Sequence, residues 1–171
     1  MKINLIFFIS NFSFGGAGNS IVRLCQSLNK NKYSINVICL GKSGYKKNLI
    51  KNNINLIEIN KSKLLFSIFN LIQIINNLIS ERKKNILISN IHYNNVVILF
   101  LKRFFKPVKI IIVERTPIEE LDIFFGSIDL IKKKIIKVLV KLFYKKADII
   151  IANSSGIKKG LDKLVNKTIK V

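Results

Sequence analysis

The sequence is poor in several residue types: one histidine, two cysteines, two prolines and nine acidic residues among 171. A single histidine cannot supply an imidazole cluster for a metal ion. Two cysteines cannot build a disulfide scaffold, and Cys25 and Cys39 read as small core residues in a reducing cytoplasm. With 49% hydrophobic residues and so little proline, the chain is not disordered, and its length suits one domain with a real core. Long apolar spans are lacking too. The stretch between Lys63 and Glu81 holds Asn70, Gln73, Asn76 and Asn77, which suits an amphipathic helix rather than a membrane span. Met1-Lys2 followed by Ile3 to Ile9 has the outline of a signal peptide. That run is short for one, and a buried strand before a glycine loop explains it better.

What is abundant is lysine, isoleucine and asparagine. Thirty Lys+Arg against nine Asp+Glu give a formal charge of +21. Charge alone speaks to solubility and to attraction by anionic partners, not to fold. The plain reading is a solvated lysine surface of the kind that low-GC coding favours; the functional alternative is attraction to phosphate-rich ligands or acidic lipid headgroups.

Apolar runs alternate with helically spaced segments. Strands are expected at Ile3–Ile9, Ile35–Leu40, Ile54–Ile59, Ile86–Ser89, Lys109–Val113 and Asp148–Ala152, with another beginning at Thr168. Helices are expected at Ser20–Asn29, Tyr45–Asn52, Leu64–Ser80, Asn94–Phe105, Ser127–Lys146 and Ser155–Leu164. Strands apolar throughout, separated by helices, imply an α/β fold. The fold class is a doubly wound, Rossmann-like parallel sheet of about six to seven strands in a single domain, residues 1–171. Such sheets bind ligands beyond the carboxyl ends of their strands.

The loops at those ends carry the candidates. Gly15-Gly16-Ala17-Gly18-Asn19 lies between the first strand and the first helix, where backbone N–H groups and the helix dipole favour a phosphate. It is not a dinucleotide fingerprint: counted from Gly16, the third glycine position is Ile21, and Gly41-Lys42 stands where an acidic residue would follow the second strand. Gly41-Lys42-Ser43 is a chance match to the end of a P-loop. His92, just after the fourth strand, is a candidate proton carrier or hydrogen-bond partner; a structural role is the alternative. Glu114-Arg115 ends the fifth strand before a Pro117 turn, and either works in a site or orders the loop. Asn153-Ser154-Ser155 suits a helix cap. Lys133, Lys134, Lys137 and Lys141 interleave with aliphatic residues in a basic amphipathic helix. Its apolar stripe is expected to pack inward on the sheet, leaving the lysines to meet an anionic membrane.

The order Gly15-Gly16-Ala17, Glu114-Arg115 and Ala147-Asp148-Ile149-Ile150-Ile151-Ala152-Asn153-Ser154 resembles the N-terminal half of family 4 glycosyltransferases, which have the GT-B fold. The likeness spans the chain. It implies that Gly15, Gly16, Ala17 and Asn19 lie by the donor diphosphate, that His92 lies close to the reacting sugar, and that Glu114 and Arg115 line the same cleft. It implies transfer from a nucleotide-diphosphate sugar, with retention, to a glycan or lipid-linked acceptor, without a bound metal or other cofactor; no Asp-x-Asp triplet occurs. The family's second, donor-binding domain with its Glu-x7-Glu motif is absent from these residues. They are therefore expected to turn over little alone and to work in the cytoplasm, at the inner face of the membrane. A basic nucleic-acid-binding module, or another phosphate-binding Rossmann-like module, is the alternative. Scarce arginine and the lack of a nucleic-acid motif argue against nucleic acid.

Overall fold

Branched aliphatic and aromatic side chains pack well on a pleated surface, and they place the strands of this protein. A computed structural model describes residues 2–12, 16–42, 54–60 and 67–171. The expected helix at 45–52, Gly15, and Ser43 of the P-loop-like tripeptide lie outside the described residues. The elements are β1 (Ile3–Ile9), α1 (Gly16–Ser27), β2 (Tyr33–Cys39), β3 (Ile54–Glu58), α2 (Ile68–Leu78), β4 (Asn85–Asn90), α3 (His92–Leu101), β5 (Lys109–Glu114), α4 (Ser127–Phe143), β6 (Ile149–Ala152), α5 (Ser155–Asp162) and β7 (Ile169–Lys170). The strand order is β3-β2-β1-β4-β5-β6-β7 in one parallel, Rossmann-like α/β arrangement.

The chain divides into two compact units. The first comprises residues 1–88 and 103–109. Its core joins Leu5, Phe7 and Ile9 of β1 to Val37 and Cys39 of β2 and to Ile21 and Cys25 of α1. Fully burying an aliphatic or aromatic side chain of this kind is worth about 1.5–3 kcal/mol. Both cysteines are free and buried, and burial lifts the Cys25 thiol to about 12 and Cys39 to about 11, so both are inert.

On the opposite face of the same strands runs a polar feature. Asn55 Nδ2 donates to Asn36 Oδ1 at 3.0 Å, and Asn36 Nδ2 to Asn4 Oδ1 at 2.9 Å. Asn4 Nδ2 donates to Asn85 Oδ1 and to the Leu78 carbonyl, each at 2.8 Å. Asn85 Nδ2 in turn reaches the carbonyls of Ser80 at 2.8 Å and Lys83 at 3.0 Å. Asn4, Asn36 and Asn85 are buried, so these bonds replace the water that their amides lose on folding.

The second unit comprises residues 89–102 and 110–171. β5 and β6 are in parallel register, with Glu114 opposite Ala152. Along both strands buried residues alternate with partly exposed ones. Ser154 caps α5 by accepting the Ile157 N–H, as its sequence position suggested. Helix α4 departs from expectation. Only Val140 is fully buried along it, while Ile128, Ile131, Ile135, Val138 and Leu142 are 49–72% exposed. The helix carries two apolar faces, and hydrophobic spacing alone does not tell which of them is covered.

Candidate functional site

The site is built where β4 turns into α3. Ile91 makes the turn at φ 70 and ψ 139, a backbone conformation that β-branched residues rarely adopt. Its N–H is held by the Val113 carbonyl at 3.1 Å, and its own carbonyl accepts the Asn95 N–H at 2.9 Å. Such strain persists only where the surroundings enforce it, and it is commonest at functional sites. The turn places His92 as the first residue of α3, 2% exposed.

Around His92 is a buried polar cluster. Glu114, the last residue of β5, is fully buried. Its Oε2 accepts a short hydrogen bond from Tyr144 Oη. Asn95 Nδ2 stands 3.2 Å from the Val113 carbonyl, 3.3 Å from Tyr144 Oη and 3.5 Å from Glu114 Oε2. Glu114 Oε1 lies 3.9 Å from His92 Nδ1. Arg115 Nε donates to Asn90 Oδ1 at 3.0 Å, while Asn94 Nδ2 donates to the Asn90 carbonyl at the same distance. Among the described residues, both ring nitrogens of His92, Glu114 Oε1, Ser89 Oγ, Asn90 Nδ2 and Asn95 Oδ1 are buried without a hydrogen-bond partner. So many orphaned polar atoms in one place exceed what ordinary packing leaves behind.

Burial sets the electrostatics. It raises the Glu114 carboxyl to about 7, against the opposing hydrogen bonds of Tyr144 and Asn95 and the nearby backbone N–H groups of Arg115 and His92. Burial, with the charge of Lys133, lowers His92 to about 4. The Tyr144 hydroxyl is pushed up by burial and by Glu114, and burial lowers the half-buried Arg115 guanidinium. At neutral pH, then, His92 is a neutral imidazole beside a carboxyl group poised to gain or lose a proton.

The structure gathers His92, Glu114 and Arg115 within the second unit. Gly16, Ala17 and Asn19 belong to the first unit, in the opening turn of α1, which contains no acidic residue. Asn90, Asn95 and Tyr144 went unnoticed in the sequence. Asparagine is common throughout this chain, and Tyr144 sits among lysines at the end of a segment that reads as one long helix. The four lysines divide into two pairs. Lys133 is 15% exposed, bonds the Ile123 carbonyl at 2.6 Å and pairs with Asp129 at 3.2 Å; Lys137 pairs with Asp122 at 2.6 Å. Lys134 and Lys141 are exposed. Among the described residues, no group of three or more His, Cys, Asp or Glu could hold a metal ion.

The sequence model of Glycosyltransferase Family 4 matches residues 14–171. The chain belongs to that family. A search of curated proteins gives no match. Among solved structures, HepE (Alr3699) of Anabaena, crystallised with UDP and glucose, is similar over 98% of this chain with a TM-score of 0.65 and 12% identity. That likeness shows the shared fold. The family 4 chain described here spans 43% of the HepE chain.

Proposed function

We propose that this family 4 domain supplies the acceptor side of a glycosyltransferase that moves a sugar, with retention, from a nucleotide-diphosphate sugar to a glycan or lipid-linked acceptor. The observation that carries the reading is His92: buried, neutral, and with both ring nitrogens unpartnered at the carboxyl end of a parallel strand. A neutral imidazole can donate one hydrogen bond and accept another without bringing a charge against the oxocarbenium-like sugar of the transition state. Glu114 lies beside it with Asn95 against the carboxylate, and Arg115 adds a cation. In this reading the nucleotide sugar is a substrate and no further cofactor takes part. The donor-binding domain lies outside these residues, so turnover belongs to the whole protein.

The test is transfer from a panel of labelled nucleotide-diphosphate sugars to lipid and glycan extracts, using the whole protein. His92→Ala is expected to lower kcat at least a hundredfold when assayed at a temperature where circular dichroism shows the variant folded. Undiminished transfer by that variant would overturn the assignment of His92. No transfer from any donor in the panel would overturn the reading itself.

A further inference from the structure

Helix α4 carries a surface that the sugar-transfer reading does not use. Ile128, Ile131, Ile135, Val138 and Leu142 recur at alternating spacings of three and four, which places them on one stripe of the helix. All five are 49–72% exposed. Just before the helix, Phe124 is 48% and Phe125 88% exposed, extending the apolar surface at that end. Projected at helical spacing, Lys134 and Lys141 border the stripe on one side and Lys132 on the other. Lys145 and Lys146 follow in the next turn. No acidic residue occurs between Asp129 and Asp148.

We propose that this stripe lies in the headgroup region of a membrane rich in anionic lipid, with the aliphatic residues inserted and the lysines on the phosphates. The charge pattern chooses between occupants. A second copy seated on the same stripe would bring lysine borders against lysine borders with no carboxylate to pair them, which is unfavourable. Nucleic acid would satisfy the lysines but leave five exposed aliphatic side chains in water. An anionic lipid surface satisfies both. The helix lies on the bilayer and does not cross it: among the described residues, no helix is long and apolar enough to span a membrane. Lys133 is held by the Ile123 carbonyl and by Asp129 of its own helix, and Lys137 by Asp122, so they tie the helix to the segment before it rather than meet the lipid. This inference stands independently of the sugar-transfer reading.

These 171 residues contain no tryptophan, so an Ile135→Trp substitution places the domain's only indole in the middle of the stripe. Its emission is read in the whole protein, against the unsubstituted protein, with vesicles of phosphatidylcholine alone or mixed with phosphatidylglycerol, and with brominated acyl chains as quencher. The expected result is a blue shift and quenching with the anionic vesicles and neither with the neutral ones. Lys134→Gln with Lys141→Gln should weaken partitioning about fivefold per lysine. Ile131→Ser with Val138→Ser should abolish quenching while the melting temperature stays put, because both side chains already face water. Vesicle binding without quenching, or equal quenching in neutral vesicles, overturns the proposal. So does a concentration-dependent blue shift without lipid accompanied by a dimer in sedimentation, which would assign the stripe to a second copy.

Discussion

His92 Nδ1 and Glu114 Oε1 stand 3.9 Å apart, and among the described residues neither atom has a hydrogen-bond partner. The two groups are displaced in opposite directions by the same burial, His92 down to about 4 and Glu114 up to about 7. In the folded protein both are therefore neutral across the mildly acidic range.

That arrangement predicts a stability maximum in mildly acidic solution. Glu114's folded pKa is raised, so its contribution is full below its ordinary value of 4.5 and is lost as pH rises through about 7. His92's folded pKa is depressed, so its contribution is present above 6.5 and is lost as pH falls through about 4. Between about pH 4.5 and 6.5 the two trends oppose each other and the parent's profile is a shallow plateau. The Glu114 share is therefore read by urea denaturation as the difference between the parent and Glu114→Gln, which should move against the parent by on the order of 3 kcal/mol from pH 4 to pH 8. The variant should be the more stable of the two at pH 8.

Tyr144→Phe removes the hydroxyl that serves Glu114 Oε2. It should cost about 1–3 kcal/mol at pH 8, where the carboxylate is ionised and loses its donor, and much less at pH 5. Because the Tyr144 bond holds the Glu114 pKa down, the alkaline loss of stability should also extend to higher pH in the variant. Paired pH series of denaturation midpoints check both effects.

At the β4–α3 turn, Ile91→Gly and Ile91→Ala should separate. Both shed the same partly exposed side chain, but alanine keeps the unfavourable φ of 70 and glycine does not. The glycine variant should be the more stable by about 1 kcal/mol or more, read from urea midpoints.

Asn36→Ala should cost about 1–3 kcal/mol, since it strips a donor from Asn4 and an acceptor from Asn55 inside the sheet. Adding Asn4→Ala should cost less than the sum of the single losses, because the two side chains satisfy each other. A double-mutant cycle by chemical denaturation measures the coupling.

The strand pattern and the strand-end residues were legible because each rests on local chemistry: Ile3–Ile9 is one apolar run and occurs as one strand, and His92, Glu114 and Arg115 fall where such strands end. Tyr144 was hidden because it meets Glu114 from 30 residues away, and no local spacing announces that contact. The asparagines looked like compositional bias until β1, β2, β3 and β4 brought four of them into one line. Helix α4 showed its apolar periodicity in sequence but not which face the fold leaves bare.

That line of asparagines has a sense of travel. Asn85 faces the carbonyls of Ser80 and Lys83, which can only accept, so it must point its nitrogen there and its oxygen back toward Asn4. Asn4 is then fixed, and through it Asn36 and Asn55. One end sets every amide in the row, so no member can flip alone, and an aspartate at any of the four positions would set a carboxylate against an oxygen that has nothing to give it. The row works as a one-way key cut across four strands: it admits a single alignment of them and rejects the neighbouring ones.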